Sequence, residues 1–153
     1  MTELSTQQIG RCGELLVQYI LLKHGVESAP LTTDPGIDLV AFPNVNASPE
    51  ERRKPVTIQV KTSTHHVKAN DKWLEWWIPD KCPCDYVAAV DLERGKFWLL
   101  RPEEFKQKGT RSGEGYRLWW PLPECEYKRA VRKEEQFKDY VMDVAIPKVF
   151  GLE

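Results

Sequence analysis

The chain contains 153 residues, enough for one domain with a single hydrophobic core and too few for two ordinary domains. Its composition, 41% hydrophobic and 29% charged residues, is typical of a globular protein and excludes disorder as the main state. The net charge of −1 argues against a general nucleic-acid coating protein, which is usually strongly basic. No apolar run has membrane-spanning length and the N-terminus lacks a signal pattern, so we expect one cytoplasmic domain spanning residues 1–153.

The first predicted element is a helix that begins after Ser5 and ends near Gly25. Ser5 and Gln8 match the Ser-x-x-Gln capping box, in which each side chain binds the other residue's backbone amide. Glycine is typical of the position that follows a helix C-terminus. Apolar residues occupy most faces of the second half, so we predict a largely buried helix.

Short apolar segments separated by turn residues follow this helix and predict a mixed α/β domain. The predicted strands are residues 26–31, 37–42, 55–63, 86–92, 97–100 and 116–120, with a turn at 34–36 and further helices at 102–108 and 128–142. Residues 72–79 fit either a helix or a strand. The tryptophans of that segment, Trp73, Trp76 and Trp77, are expected in the core rather than stacked on nucleic-acid bases.

Four cysteines occur in the chain, and Cys82 and Cys84 are separated only by Pro83. This spacing is not the CxxC of zinc sites, and no second close pair is present to complete a set of four ligands. A disulfide that stabilises the fold is uncommon in a cytoplasmic protein. We therefore interpret the cysteines as reduced structural thiols.

Polar residues on three predicted elements are spaced so that they can meet. Glu14 lies in the first helix and Asp38 in the second strand, while Gln59 and Lys61 project from one face of the third strand. If the two strands pair as a hairpin, Asp38 meets Gln59 and Lys61. Carboxylate, amide and carbonyl oxygens, the last from Val60, suit Mg²⁺, and a lysine stabilises the charge that develops during phosphodiester hydrolysis.

Three segments together resemble the PD-(D/E)xK nuclease superfamily, which includes restriction enzymes, Holliday-junction resolvases and some homing endonucleases. The segments are Gly13-Glu14, Gly36-Ile37-Asp38-Leu39 and Ile58-Gln59-Val60-Lys61-Thr62-Ser63. The resemblance implies a restriction-endonuclease-like α/β core of a helix, three strands, a helix and a strand, with a mixed central sheet and a C-terminal helix. One departure is Gln59, which replaces the usual Glu or Asp and removes a negative charge from the site.

The resemblance further implies a metal-dependent DNA endonuclease with Mg²⁺, or Mn²⁺, as cofactor. The implied catalytic residues are Glu14, Asp38, Gln59 and Lys61, and the implied metal ligands are Glu14, Asp38, Gln59 and the carbonyl of Val60. Substrate contacts are expected from Arg11, Thr62, Ser63 and His65. Cutting both strands of a duplex suggests a homodimer with one site for each strand.

Three alternatives stay open from the sequence. Gln59 is compatible with a catalytically inactive nuclease-fold module that only binds nucleic acid. An RNA-directed nuclease or toxin of a defence system is the second alternative, because the sequence contains no code for substrate choice. The third is an unrelated α/β protein in which Glu14, Asp38 and Lys61 lie far apart. The basic residues at 52–54 and 128–133 fit either a DNA backbone or a solvated surface.

Overall fold

The computed structural model describes residues 3–33, 36–44, 46–127 and 129–152. Its α-helices are α1 (Thr6–Lys23), α2 (Pro102–Lys108) and α3 (Met142–Phe150), and a 3₁₀ helix covers Glu134–Tyr140. Its strands are β1 (Glu27–Pro30), β2 (Leu39–Phe42), β3 (Val56–Ser63), β4 (His66–Lys68), β5 (Asp71–Pro79), β6 (Tyr86–Asp91), β7 (Lys96–Leu100), β8 (Thr110–Ser112) and β9 (Gly115–Pro121). Within these ranges no helix is both long and apolar enough to cross a bilayer.

The strands form two sheets, and the larger sheet has the order β1-β2-β3-β6-β7. Its neighbours pair antiparallel except β3 and β6, which are parallel. The smaller sheet has the order β4-β5-β9-β8 and is antiparallel throughout. This arrangement confirms the predicted mixed α/β class with a mixed central sheet and helices at both ends of the chain.

The large sheet lies between two hydrophobic layers. Helices α1 and α3 cover one face, where residues such as Leu21, Ile58 and Ile146 are fully buried together. The small sheet covers the other face. Tryptophans dominate this second core, where the rings of Trp98 and Trp120 meet edge to face with their centroids 5.0 Å apart.

Helix α1 lies close to β3 because a glycine stands at the contact. A Cβ atom added at Gly13 would lie 1.8 Å from Oγ1 of Thr62, so a larger side chain would push the helix away from the sheet. The predicted capping box is also present, with the Ser5 amide donating to Gln8 Oε1 at 2.9 Å and the Gln8 amide donating to Ser5 Oγ at 3.2 Å. The α1 sequence therefore determines both where the helix begins and how closely it packs.

The prediction that α1 is largely buried is wrong. One face of the helix is buried on the sheet, while Leu15, Tyr19 and Leu22 are 50%, 58% and 58% exposed.

Two sequence predictions differ from the structure after β3. The resemblance implies a helix between the third and fourth core strands, but β4 and β5 fill this interval and begin the small sheet. The helix predicted at 128–142 is confirmed only in part: 129–133 is not helical, Glu134–Tyr140 is a 3₁₀ helix, and Met142 begins α3. The C-terminal α-helix, α3, was not predicted beyond Met142; it contains Pro147 and forms because its apolar face is buried on the sheet.

The tryptophans at 72–79 divide between core and surface. Trp76 is 2% exposed, as predicted, and its Nε1 donates to the carbonyl of Val90 at 3.0 Å, which joins the two sheets. The prediction of a core position is wrong for Trp77, which is 41% exposed, and Trp73 is only partly buried. The segment is a strand, so alternate residues face opposite sides of the small sheet.

Candidate active site

Asp38 is held against β3 by two hydrogen bonds and against the segment after β1 by a third. Its carboxylate Oδ2 accepts from the Val60 amide at 2.7 Å, and its own amide donates to the Ile58 carbonyl at 2.9 Å. Its carbonyl accepts from the Leu31 amide at 3.0 Å. Asp38 directly precedes β2 rather than lying inside it, yet β2 and β3 pair antiparallel, so the predicted hairpin places Asp38 beside Gln59.

Gln59 and Lys61 project from the face of β3 that is opposite to α1. The side chains of Ile58 and Val60 enter the helix-side core, so the residues that alternate with them face the small sheet. Gln59 is only 6% exposed, and its Oε1 accepts a hydrogen bond from Cys82 Sγ at 3.2 Å. Lys61 is partly exposed, which leaves its ammonium group access to solvent.

The turn before Asp38 contains Gly36, which lies beside Gln59. Gly36 has φ +124°, a backbone conformation that L-residues with a side chain rarely adopt, and a Cβ there would be 3.6 Å from Gln59 Nε2. The backbone conformation therefore favours glycine here, whereas a Cβ would only come into ordinary contact with the buried amide. The other residues of the predicted turn, Asp34 and Pro35, lie outside the described residues.

Glu14 lies on α1 with Arg11 as its ion-pair partner. Arg11 Nη1 donates to Glu14 Oε2 at 3.0 Å, and the two side chains are 51% and 26% exposed. Gly13, the residue before Glu14, is packed on Thr62, so this part of α1 lies on the face of β3 opposite to the Gln59 and Lys61 side chains. The structure thus groups Asp38 and Gln59 closely, while a metal ion shared between Glu14 and Asp38 stays a prediction.

Cys82 and Cys84 lie beside Gln59, a contact that the sequence interpretation missed. Because β3 and β6 are parallel with Ile58 opposite Tyr86, residues just before β6 lie next to the start of β3, and from there Cys82 Sγ reaches the Gln59 side chain. The two Sγ atoms are 3.0 Å apart, and this contact lowers the pKa of Cys82 to about 7, assisted by the charges of Lys106 and Lys61. The same contact, together with burial, raises the pKa of Cys84. Only the parallel pairing, which spacing alone does not reveal, places the thiols here.

Two of the residues predicted to bind substrate have side chains turned into the protein. Thr62 Oγ1 is buried under α1 and has no hydrogen-bond partner among the described residues. Ser63 is 3% exposed, and its Oγ donates to the Thr64 carbonyl at 2.7 Å and accepts from the Glu75 amide at 3.1 Å. Their contact with substrate stays a prediction, and these positions give it no support.

His65 belongs to a second polar group, which sequence analysis did not find. Its Nε2 is 2.9 Å from Asp91 Oδ1, and its Nδ1 is 3.3 Å from Glu93 Oε2. Arg94 also forms ion pairs with Asp91, which is fully buried, and with Glu134. We call these five residues the Asp91 cluster. In the sequence, residues 93–96 indicate only a hairpin turn, and Glu134 is forty positions beyond Arg94, so no local signal indicated the group. The substrate contact of His65 stays a prediction.

The donor atoms near Asp38 suit a hard cation. The described part of the chain has no group of three or more His, Cys, Asp and Glu side chains able to hold a metal ion. A metal here would therefore need oxygens of other kinds. Asp38 is hydrogen-bonded to the Val60 amide, so the side-chain amide of Gln59 and the backbone carbonyl of Val60 are the candidate oxygens next to it in the sequence of β3. Mg²⁺ commonly uses one or two carboxylates and completes its octahedron with waters and substrate oxygens, so this set is compatible with it.

Comparison with known proteins supports the fold. No family model matches the sequence, and no curated protein matches it either. Among solved structures, the chain is similar to a bacterial homing endonuclease, I-Ssp6803I, with a TM-score of 0.64 and 18% sequence identity. The superposition covers 96% of this chain and 92% of that chain. At this identity the likeness shows the fold alone: the chain has an α/β fold that an endonuclease also adopts, and membership of the PD-(D/E)xK superfamily stays a prediction.

Proposed function

We propose that the protein is a metal-dependent endonuclease that hydrolyses phosphodiester bonds of DNA. The observation that best supports this function is the hydrogen bond between the Asp38 carboxylate and the Val60 amide. It holds the carboxylate at the backbone of Val60, and the residues on either side of Val60, Gln59 and Lys61, are consecutive on one strand face. A carboxylate, an amide oxygen and a lysine in one place supply the groups that phosphodiester hydrolysis requires.

The proposed metal ligands are Asp38, Glu14, the Gln59 amide oxygen and the Val60 carbonyl, with Mg²⁺ as the expected ion and Mn²⁺ as its substitute. When bound, the ion supplies charge neutralisation at the phosphate and lowers the pKa of a coordinated water. Gln59 contributes no charge, so the site holds one negative charge fewer than a site with three carboxylates. We therefore expect weaker metal binding than three carboxylates would give.

The remaining roles belong to cationic residues. Lys61 is partly exposed beside Gln59, and we assign it to the attacking water or the scissile phosphate, where it stabilises developing negative charge. Arg11 is half exposed on α1 next to Glu14, and we assign it to a flanking phosphate. Substrate contacts by Thr62, Ser63 and His65 stay predictions: the first two side chains are turned into the protein, and His65 lies against Asp91 and Glu93.

DNA as the substrate is supported by the fold, since the structural neighbour is described as a homing endonuclease. A chain of this size has one candidate site, so cutting both strands of a duplex needs two copies, and we propose a homodimer. The main alternative is an inactive DNA-binding module. It is favoured by a specific observation, because the neutral Gln59 side chain is buried and already hydrogen-bonded to Cys82.

The test is cleavage of plasmid and branched DNA with Mg²⁺ or Mn²⁺ by wild type, Asp38→Asn and Lys61→Met. Asparagine keeps an oxygen acceptor for the Val60 amide and removes only the charge, so the fold should persist. Each variant is expected to cut at least about 100-fold more slowly, the typical effect of removing one group that stabilises charge in a transition state.

Two matched controls separate the site from general effects. Asp143→Asn changes a carboxylate that is 67% exposed, and Lys138→Met changes an ammonium that is 70% exposed. Both are expected to cut like wild type. Wild type that binds DNA but does not cut it with either metal would contradict the endonuclease and support the binding module, and Gln59→Glu would then test whether a third carboxylate restores cleavage.

A further inference from the structure

Cys82 and Cys84 form a close thiol pair at the start of β6. The Sγ atoms are 3.0 Å apart, and both cysteines are free thiols in the part of the chain that the structure describes. Cys82 is partly exposed, whereas Cys84 is 6% exposed. A disulfide has an S–S distance of about 2.0 Å, so the two sulfurs need to approach each other by about 1 Å to form one.

The segment that contains these thiols is attached firmly to β3. Asp85 Oδ2 accepts from both the amide and the hydroxyl of Thr57, at 2.9 and 3.0 Å, and the Asp85 amide donates back to the Thr57 carbonyl. Two residues along β3 from Thr57, Gln59 Oε1 accepts from Cys82 Sγ at 3.2 Å. The thiol pair is therefore fixed beside the one amide side chain of the candidate site.

We propose that Cys82 and Cys84 are a reversible thiol–disulfide pair that positions the Gln59 amide when reduced and releases it when oxidised. In its reduced form Cys82 is a positioning residue, because its S–H hydrogen bond orients the oxygen assigned to the metal. The consequence for catalysis rests on the function proposed above, but the contact between the thiol and the amide does not.

The oxidant is a low-molecular-weight disulfide, and oxidation proceeds by thiol–disulfide exchange. Cys82, the more accessible thiol, loses its proton and attacks one sulfur of the small disulfide. The S–S bond of the small disulfide breaks, and one small thiol leaves. Cys84 then loses its proton, attacks Cys82 Sγ and releases the second small thiol. The protein loses two electrons and two protons, and the small disulfide gains both and becomes two thiols.

Oxidation removes the hydrogen-bond donor at Gln59. A disulfide sulfur has no hydrogen, and its movement toward Cys84 draws it away from Gln59 Oε1. Residues that orient a metal ligand through a hydrogen bond typically contribute about 10–100-fold to metal affinity or activity. We expect a loss of that size in Mg²⁺ affinity on oxidation. Disulfides in cytoplasmic proteins, where they occur, are usually transient and redox-sensing, which agrees with a pair of this kind.

The first experiment measures whether the pair forms. Cys12 and Cys125 are replaced by serine so that only Cys82 and Cys84 remain, and the protein is equilibrated with mixtures of oxidised and reduced glutathione. We expect both thiols to disappear together by thiol titration and mass spectrometry, and to return with reductant. Two thiols that persist in oxidised glutathione, or stable glutathione adducts on both cysteines, would overturn the proposal.

The second experiment measures whether the pair acts on Gln59, without metal or DNA. The side-chain amide signal of Gln59 is followed by ¹⁵N NMR in the reduced and oxidised protein and is identified by its absence in Gln59→Glu. A shift on oxidation that reverses with reductant is expected. An unchanged Gln59 signal in the oxidised protein would refute the positioning role, whether or not the protein is a nuclease.

The third experiment compares Cys82→Ala with Cys82→Ser by calorimetric titration of Mg²⁺. Alanine removes the donor and is expected to weaken Mg²⁺ binding about tenfold or more, whereas the serine hydroxyl can still donate to Gln59 and should recover most of the affinity. Equal loss in both variants would contradict a role through the hydrogen bond. If the NMR shift occurs but reduced wild type neither binds Mg²⁺ nor cuts DNA, the proposed function fails and the thiol pair stands.

Discussion

Two polar groups lie along β3, and they differ in how completely their charges are paired. The Asp91 cluster lies at the C-terminal end of the strand, where Asp91 is opposite Ser63. Asp91 is fully buried, and it accepts hydrogen bonds from the amides of Glu93 and Arg94 and from the Arg94 guanidinium. At the middle of β3, by contrast, the buried polar side chain is the neutral Gln59 and its donor is a thiol.

The difference between the two groups indicates different purposes. A buried carboxylate is costly unless hydrogen bonds and an opposite charge compensate it, and the Asp91 cluster has both. Asp38 and Lys61, near Gln59, are only partly buried, so solvent and substrate can reach them. Charges that are buried and fully paired, which we call closed pairing, stabilise the fold, while charged side chains that stay partly exposed can take part in chemistry. Changes in the Asp91 cluster should therefore affect stability, and changes at the candidate site should affect cleavage.

The largest effect on stability is expected from Arg94→Ala. This change leaves Asp91 buried with His65 as its remaining side-chain partner and also deprives Glu134 of a bidentate contact. Breaking a buried ion pair by removing one partner typically costs about 3–5 kcal/mol, and we expect a loss of about 3 kcal/mol here. The free energy of unfolding from urea denaturation measures it.

Arg111→Ala is the matched control for this prediction. Arg111 pairs with Asp80 at 2.7 Å, but both side chains are about half exposed, at 53% and 49%. Exposed ion pairs contribute little because water and salt screen them, so this variant should unfold at nearly the same urea concentration as wild type. Similar losses in Arg94→Ala and Arg111→Ala would contradict the distinction between closed and open pairing.

A smaller effect is expected from pH through Glu134. Burial alone raises the pKa of Glu134, but hydrogen bonds from Arg94 and the charges of Arg94 and Lys96 outweigh it, and the net pKa is below the ordinary 4.5. A carboxyl group with a lowered pKa in the folded state stabilises the protein above its unfolded pKa, and this contribution is lost as pH falls through the folded value.

Glu134→Gln tests this contribution directly. At pH 7 the variant should be less stable than wild type, and the gap should narrow as pH decreases below about 4.5. Urea denaturation of both proteins between pH 7 and pH 3 measures the gap. A gap that stays constant across this range would show that ionisation of Glu134 does not contribute to stability.

The parts of the molecule that sequence reasoning predicted are those with local signals. The capping box at Ser5 and the strand at β3 depend on neighbouring residues, and the structure reproduces both. The Cys82 contact and the Arg94 bridge to Glu134 depend on strand pairing between distant segments. Such contacts are set by tertiary packing, which a single sequence does not display.

The smallest expected effect concerns Thr62, a third polar group on β3, which faces α1. Its buried Oγ1 has no hydrogen-bond partner in the described parts of the chain, and burying an unpaired hydroxyl is unfavourable. Valine has nearly the same shape and suits a strand. Thr62→Val should therefore raise the free energy of unfolding by about 1 kcal/mol, as measured by urea denaturation.

Thr57→Val is the control on the same strand, because it removes the hydroxyl that contacts Asp85 and should lower stability by about 1 kcal/mol. A Thr62→Val protein that is stable but has lost DNA cleavage would instead support the predicted substrate contact of Thr62, and would show that pairing within the fold is a poor guide to function on this strand.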